Sequence, residues 1–259
     1  MIVNLKDTFN NVVTMYDAAR PTYPLELLND IKDFAEKSFF TRGLEIGAGT
    51  GQATDLFIKV INDLGIVEVG DKQVDYLMEK YKSENVNTYK AYFEDFKSNK
   101  KYDLIFSATA FHWVDATVGY PKVWDMLNDS GVLAVFWHMS SVTLHDTGIF
   151  VGLNEIKKKY LPEESLGFDK EGIEGVRQKR ISQIQSGNYF GIPVIKEYRW
   201  IDTYDADRYS LLLESYSSTQ TLDEEHKKLY LSEVRDYINS NGGVVEMPQH
   251  VMLYLVKKE

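Results

Sequence analysis

The 259-residue sequence contains no cysteine. Without thiols, the chain cannot form disulfides, thiolate zinc sites or iron–sulfur clusters, and it cannot use a cysteine nucleophile. The remaining residues show none of the His and Glu spacings that are typical of a metal site, so no metal is expected. The lack of cysteine also fits a reducing cytosol, which is the location that we predict.

The sequence also lacks an excess of positive charge and long apolar runs. Lys and Arg total 29 against 39 Asp and Glu, which gives a formal net charge of −10. A nucleic-acid partner is not expected, because binding to a phosphate backbone needs a basic face. No window reaches the ~18 apolar residues of a membrane span, and residues 1–11 lack the basic start and apolar run of a secretory signal. We therefore expect a soluble cytoplasmic protein without a membrane partner.

Short apolar runs alternate with amphipathic stretches over the first 140 residues or so. This alternation is typical of βα units that pack on a parallel sheet. The run 132–137 is apolar throughout, which suits a strand buried on both faces. Strands are predicted at 43–46, 66–69, 86–91, 102–108 and 132–137.

Alternate glycines form the strongest motif, at a predicted strand-to-helix junction. The segment 44–52 reads LEIGAGTGQ, with glycines at 47, 49 and 51. Such glycines let the backbone turn tightly and let a ligand lie against bare amides, where a Cβ would collide. In an open α/β sheet, that ligand sits at the carboxyl ends of the strands. An ordinary tight turn is the alternative interpretation.

Glu68 follows 21 residues after Gly47, at the end of the second predicted strand. A carboxylate at this position can accept both hydroxyls of a ribose, a role that dinucleotide enzymes also use. The dinucleotide fingerprint is G-x-G-x-x-G/A, but the sixth position is Gln52 counted from Gly47 and Thr54 counted from Gly49. No Gly-Lys-Ser/Thr follows, so the loop is not a P-loop.

These motifs resemble the class I S-adenosylmethionine-dependent methyltransferases. The resemblance covers residues 9–137, including YDAARPTYP at 16–24, FED at 93–95 and YDLIFSATAFHW at 102–113. It points to the branch that contains trans-aconitate methyltransferase and other small-molecule type 11 enzymes. The implied fold class is α/β, with a Rossmann-like, seven-stranded, mostly parallel sheet, helices on both faces and an inserted helical cap.

The resemblance implies a single methyltransferase domain over residues 1–259. Residues 139–190 are polar, partly helical and without a clear sheet signal, which suggests the inserted cap. The expected parts are an N-terminal lid helix (1–30), a cofactor-binding core (40–138), the cap (139–190) and C-terminal strands and helices that complete the sheet (191–259).

The cofactor implied by the resemblance is S-adenosyl-L-methionine. The glycine loop, with an acid beneath it, would hold the methionine portion, and the acid that ends the second strand would take the ribose hydroxyls. The segment after the third strand would meet the adenine, and the end of the fourth would lie under the sulfonium. Many relatives have Asp at the position of Tyr92, which leaves open the side chain that contacts the adenine amino group. The implied cofactor residues are Glu45, Gly47, Ala48, Gly49, Gly51, Glu68, Phe93, Glu94, Thr109 and Ala110.

Three residues are candidates for the chemistry itself. His112 follows the fourth predicted strand and could act as a general base, or it could fix a loop through one hydrogen bond. Tyr16, the second candidate base, is four residues from Arg20, so the two would share a helix face. Arg20 could pair with a carboxylate of the cofactor or substrate, or it could be exposed to solvent while Tyr16 packs.

The resemblance implies methyl transfer to a small-molecule acceptor by in-line displacement. A carboxylate or another oxygen or nitrogen nucleophile would serve as the acceptor. Two alternatives stay open: an NAD(P)-dependent oxidoreductase with a variant glycine turn, and a catalytically silent protein that binds S-adenosylmethionine. No feature of the sequence indicates the oligomeric state.

Overall fold

The computed structural model describes residues 19–139, 148–161 and 172–259. Tyr16, most of the predicted lid helix and parts of the predicted cap lie outside the described residues. The chain separates into two compact units. The sheet unit comprises Thr22–Met139, Ile173–Tyr198 and Val251–Glu259, and the helical unit comprises the rest of the chain. Residues 173–190 of the predicted cap thus belong to the sheet unit. The predicted organisation as one domain stays a prediction.

One sheet of seven strands runs through the structure. Its strands are β1 Phe40–Ile46, β2 Ile61–Glu68, β3 Val86–Lys90, β4 Tyr102–Ala108, β5 Leu127–His138, β6 Val194–Asp205 and β7 Val244–Lys257. The strand order is β3-β2-β1-β4-β5-β7-β6. The pairs among β1 to β5 are parallel, and β7 is antiparallel to β5. The predicted seven-stranded, mostly parallel α/β sheet is confirmed.

Helices connect most of the strands. In chain order they are α1 Leu25–Ala35, α2 Thr54–Phe57, α3 Asp71–Lys80, α4 Ala116–Met126, α5 Ile149–Tyr160, α6 Gly172–Gln185, α7 Ala206–Glu214, α8 Ser217–Gln220 and α9 Glu224–Ser240. Within residues 19–139, 148–161 and 172–259, single 3₁₀ turns occur at Phe111–Trp113 and Ser186–Asn188. Among the described residues, no helix combines the length and the apolar character that crossing a membrane requires.

Apolar side chains on both faces of the central strands build the core of the sheet unit. Leu104, Ile105 and Phe106 in β4 are all fully buried, as are Leu133 and Val135 in β5. Each such side chain contributes roughly 1.5–3 kcal/mol through burial. The central strands therefore form a rigid support for the loops at their carboxyl ends.

The helical unit has a separate core that is rich in tyrosine. Tyr204, Tyr209 and Tyr230 are buried in it together with aliphatic side chains of α7 and α9. A Cβ at Gly152 in α5 would collide with the ring of Tyr237 in α9, so the glycine permits close packing of these two helices. Asp205 caps α7 by accepting the backbone N–H of Arg208 at 2.8 Å.

β2 begins at Ile61 and not near residue 66, where the pattern predicts it. Gly65 lies inside the strand, although glycine in a sequence indicates a break or a bulge. It pairs with Leu44 of β1, and a Cβ at Gly65 would lie 2.9 Å from the Leu44 Cδ1. Close packing between the strands therefore explains this glycine.

Candidate functional site

The loop after β1 turns at three glycines with left-handed backbone angles. The φ angles of Gly47, Gly49 and Gly51 are 72°, 61° and 95°, a region that other residues rarely adopt. A Cβ at Gly47 would lie 2.5 Å from the Cβ of Ala110, and a Cβ at Gly51 would collide with the Tyr81 hydroxyl. Among the described residues, no atom outside Gly49 and its two chain neighbours lies within 4 Å of a Cβ built at Gly49. The backbone of Gly49 therefore borders open space in which a ligand can lie.

Side chains at the end of α3 support this loop. The Tyr81 hydroxyl donates to Asp55 Oδ1 at 2.7 Å and lies 3.1 Å from the carbonyl oxygen of Gly51. Lys80 Nζ donates to the carbonyl oxygen of Thr50 at 3.1 Å and to Asp55 Oδ2 at 2.8 Å. These residues were not predicted from the sequence, because no local motif joins a helix end to a loop about 30 residues earlier in the chain.

Glu45 lies beneath the loop as a fully buried carboxyl group. Its Oε2 accepts a hydrogen bond from the Thr54 hydroxyl at 2.6 Å, whereas its Oε1 has no partner among the described residues. Burial raises the pKa of Glu45 to about 8; the Thr54 hydrogen bond opposes this shift, and the carboxylate of Glu68 adds to it. A buried oxygen without a partner costs about 1–3 kcal/mol. A cationic group of a ligand could satisfy it.

Glu68 ends β2 and lies against the glycine loop, as predicted from the fold. Its Oε2 accepts the backbone N–H of Gly49 at 2.9 Å, and its Oε1 accepts those of Val69 at 2.8 Å and Gly70 at 3.0 Å. A carboxylate has about four lone-pair sites in all. The three amides leave about one of these sites, so the Glu68 carboxylate can also accept a hydroxyl group of a ligand.

Phe93 and Glu94 follow β3 and contact the start of α4. The Phe93 side chain is buried in the core, with the Lys122 ammonium 5.2 Å from its ring centroid. Glu94 Oε1 accepts the backbone N–H of Asp115 at 2.9 Å, and Asp115 in turn caps α4. These side chains fix the segment in place, so its backbone is the part that could contact an adenine.

Thr109, just after β4, adopts a strained backbone conformation. Its φ is 53°, which costs about 1–2 kcal/mol for a residue other than glycine, and such strain concentrates at functional sites. The Thr109 hydroxyl lies 3.0 Å from the Tyr23 hydroxyl and accepts the backbone N–H of His138 at 3.2 Å. Tyr23 was not predicted as a site residue, although it belongs to the motif at 16–24.

His112 lies at the carboxyl end of β4 and bonds to the end of β5. The indole Nε1 of Trp137 donates to His112 Nδ1 at 3.1 Å. An indole nitrogen can only donate, so the neutral imidazole carries its proton on Nε2. Partial burial, together with the charge of Arg180, lowers the pKa of His112. Neutral His112 therefore offers an N–H donor at Nε2, while the lone pair of its Nδ1 is already used by Trp137. This arrangement favours a role in positioning a ligand over a role as a general base.

The other two candidate residues are not brought to this site by any described contact. Tyr16 lies outside the described residues. Arg20 lies in the helical unit, where its Nη2 donates to the carbonyl oxygen of Ser215 at 3.1 Å and its guanidinium lies 5.8 Å from the Tyr216 ring centroid. The proposed roles of Tyr16 and Arg20 stay predictions.

Comparisons with known proteins address the segment that carries the site. Residues 44–135 match the family described as a methyltransferase domain. A methyltransferase-like protein of Schizosaccharomyces pombe is 29% identical over 146 residues, 55% of this chain and 55% of that protein. A Saccharomyces cerevisiae protein named "Probable S-adenosylmethionine-dependent methyltransferase CRG1" is 30% identical over 131 residues, 47% of this chain and 43% of that one. The chain spans about half the length of the curated relatives that it matches.

A solved structure extends the similarity to most of the chain. The YcgJ protein of Bacillus subtilis matches with a TM-score of 0.52 at 16% identity, over 90% of this chain and 99% of that one. At this level of identity, the match shows that the two proteins share a fold.

Proposed function

Residues 44–135 of this chain are a class I S-adenosylmethionine-dependent methyltransferase domain, and we propose that the protein transfers a methyl group from S-adenosyl-L-methionine to a small-molecule acceptor. The family predicted from the sequence is confirmed for this segment, and the trans-aconitate branch stays a prediction. Within the part of the chain that the structure describes, the observation that best supports the activity is the open space at Gly49 together with the buried Oε1 of Glu45, which has no hydrogen-bond partner there.

The residues of the site fit this cofactor in charge and in shape. Its methionine portion carries an ammonium group, which suits the unpartnered Oε1 of Glu45. The bare backbone of Gly49 leaves room for that portion, and the carboxylate of Glu68 suits the ribose hydroxyls. We assign the backbone of Phe93 and Glu94 to the adenine. Ala48 completes the loop.

When bound, S-adenosylmethionine supplies an electrophilic methyl group on a sulfonium. The protein's part in the reaction is to hold the acceptor in line with that methyl group and to exclude water. Thr109 and Ala110 would lie beneath the sulfonium, and the hydrogen bonds of Thr109 to Tyr23 and His138 would keep that segment in place. His112 would orient the acceptor through its Nε2–H, since its Nδ1 accepts from Trp137.

Two other functions share part of this geometry. An NAD(P)-dependent oxidoreductase would also use a glycine turn and an acid at the end of β2, but the matched family does not favour it. A catalytically silent protein that binds S-adenosylmethionine would need the same cofactor residues, so only turnover separates it from an enzyme. The lack of cysteine keeps the cytosol as the proposed location.

Label transfer tests the proposed function directly. The protein is incubated with S-adenosylmethionine labelled in its methyl group and with panels of small acids, phenols and amines. We expect label in the product of at least one class, and about tenfold less label with the Glu68→Ala variant at a cofactor concentration well below saturation. A parallel calorimetric titration compares S-adenosylmethionine with NADH. A preference for NADH would rule out the proposal, and binding without turnover would support the silent binder.

A further inference from the structure

We propose that Arg180, Trp137 and His112 form an anchor for a carboxylate of the acceptor. This inference rests on the proposed function and names the class of acceptor: a small molecule that carries a carboxylate on an apolar or aromatic body. All three residues belong to the sheet unit. The anchor also differs from the sequence-based expectation, in which Arg20 was one candidate partner for a carboxylate of the cofactor or substrate.

Arg180 supplies the positive charge. It lies on α6, and its guanidinium carbon is 3.5 Å from the centroid of the Trp137 ring. Trp137 is buried near the carboxyl end of β5, so its indole is a rigid surface for the stacked guanidinium. The five N–H donors of a guanidinium point outward along its edge and not from its face. Stacking therefore fixes the plane of Arg180 without using the N–H donors at its edge.

The same indole orients His112. The Trp137 Nε1 donates to His112 Nδ1, so the Nε2 of the neutral ring is a second donor. The charge of Arg180 is near enough to help lower the pKa of His112, after the effect of burial. One full positive charge and one neutral N–H group are thus organised around a single tryptophan. They lie where β4 and β5 end, at the same edge of the sheet as the glycine loop.

This combination selects a carboxylate among small-molecule groups. An ammonium group would be repelled by Arg180, and a neutral group would gain little from it. A guanidinium fork matches both carboxylates and phosphates, but a single guanidinium with one neutral donor matches a monoanion better than a phosphate dianion. Beside this anchor, Trp113 is 83% exposed, with its ring centroid 4.8 Å from that of His112. Its indole offers a flat apolar surface for the body of the acceptor.

The chain provides a matched control for Arg180. Arg177 lies one turn earlier on α6, where its guanidinium is 3.6 Å from Glu197 and 3.9 Å from Glu174. A change to glutamine at either arginine removes one positive charge from the same helix. Only the change at Arg180 removes the charge that is stacked on Trp137.

The test is a titration of the S-adenosylhomocysteine-saturated protein with benzoate, with its uncharged isostere benzamide and with phenyl phosphate. We expect the wild-type protein to bind benzoate more tightly than the other two. Arg180→Gln should weaken benzoate binding about tenfold or more, as expected for a charge-assisted hydrogen bond. It should leave benzamide binding unchanged, and Arg177→Gln should bind benzoate like the wild type. Arg180→Lys, which keeps the charge but loses the planar fork, should restore part of the affinity.

Several results would overturn the anchor: equal benzoate affinity in the wild type and in Arg180→Gln, no preference of the wild type for benzoate over benzamide, or tighter binding of phenyl phosphate. Thermal melting shows whether the Arg180→Gln variant folds. If it does not fold, the benzoate affinity of Arg180→Lys is compared with that of the wild type instead. A separate titration with S-adenosylhomocysteine tests the proposed function. If S-adenosylhomocysteine does not bind but the ligand-free protein still binds benzoate more tightly than benzamide, the proposed function is wrong and the anchor is supported.

Discussion

Glu45 should couple cofactor binding to the release of a proton. Burial raises the pKa of this carboxyl group to about 8. At pH 7 and without ligand, it therefore holds about 0.9 of a proton. The ammonium of the cofactor, placed against the unpartnered Oε1, would favour the ionised carboxylate. Binding at pH 7 should then release most of that proton.

The size of the effect follows from the same pKa. The ionised fraction of Glu45 rises from about 1% at pH 6 to about one half at pH 8. If the cofactor binds the ionised form alone, affinity should rise on the order of 50-fold over this range. The free energy of unfolding of the ligand-free protein should instead fall as the pH rises over this range. A carboxyl group whose pKa is raised from 4.5 in the folded state stabilises the fold below pH 4.5, and this contribution is lost as the pH rises through about 8.

Calorimetry with S-adenosylhomocysteine measures the released proton. Titrations at pH 7 in phosphate and in Tris, which differ in their enthalpy of ionisation, give the number of protons from the difference in observed heat. Glu45→Gln is the matched control, because it keeps the shape of the side chain but cannot ionise. The amino group of the ligand titrates equally in both experiments, so the difference between the two proteins reports Glu45.

Equal proton release by the wild type and Glu45→Gln would refute this reasoning. So would a wild-type affinity that stays level from pH 6 to pH 8. Either result would mean that the carboxyl group of Glu45 does not change its ionisation when the cofactor binds.

Three further variants test other contacts of the site. Glu68→Ala should weaken cofactor binding at least about tenfold, because a charge-assisted hydrogen bond contributes about 1.5–3 kcal/mol; unchanged calorimetric affinity would exclude the ribose role. Gly49→Ala should lower cofactor affinity while costing only about 1–2 kcal/mol of stability in urea unfolding, whereas Gly47→Ala should destabilise more, because its Cβ has no room. Arg180→Gln should raise the pKa of His112 in an NMR titration, since the charge of Arg180 lowers it; an unchanged pKa would contradict this.

Local patterns in the sequence were sufficient for the central strands of the sheet and for the positions of the glycine loop and Glu68 along them. The strand predicted at 102–108 is β4 Tyr102–Ala108, because a continuous apolar run must be buried on both faces of a sheet. The pattern predicts Glu68 at the end of the second strand; in the structure it ends β2, and its carboxylate accepts the Gly49 amide at 2.9 Å. The carboxyl ends of neighbouring parallel strands meet at one edge, so position along the chain implied position in space.

Contacts between distant segments could not be predicted in this way. The Tyr23 and Thr109 hydroxyls are in contact although the two residues are 86 positions apart in the sequence. The Tyr81 hydroxyl contacts the carbonyl oxygen of Gly51, 30 positions earlier. Arg180 stacks on Trp137 from a helix in a segment that we had predicted to form a cap. No periodicity or spacing encodes such pairs, because they depend on how separate elements pack.

The α/β type of fold follows from apolar periodicity and the turn after β1 from the backbone freedom of glycine, so both could be predicted from local sequence; the number of strands was implied by the family resemblance. The chemical state of the site depends instead on tertiary contacts. The raised pKa of Glu45 comes from its burial, and the proton of neutral His112 lies on Nε2 because Trp137 donates to Nδ1. Desolvation and hydrogen-bond direction are properties of the packed surroundings, and the packed surroundings exist only once the chain has folded.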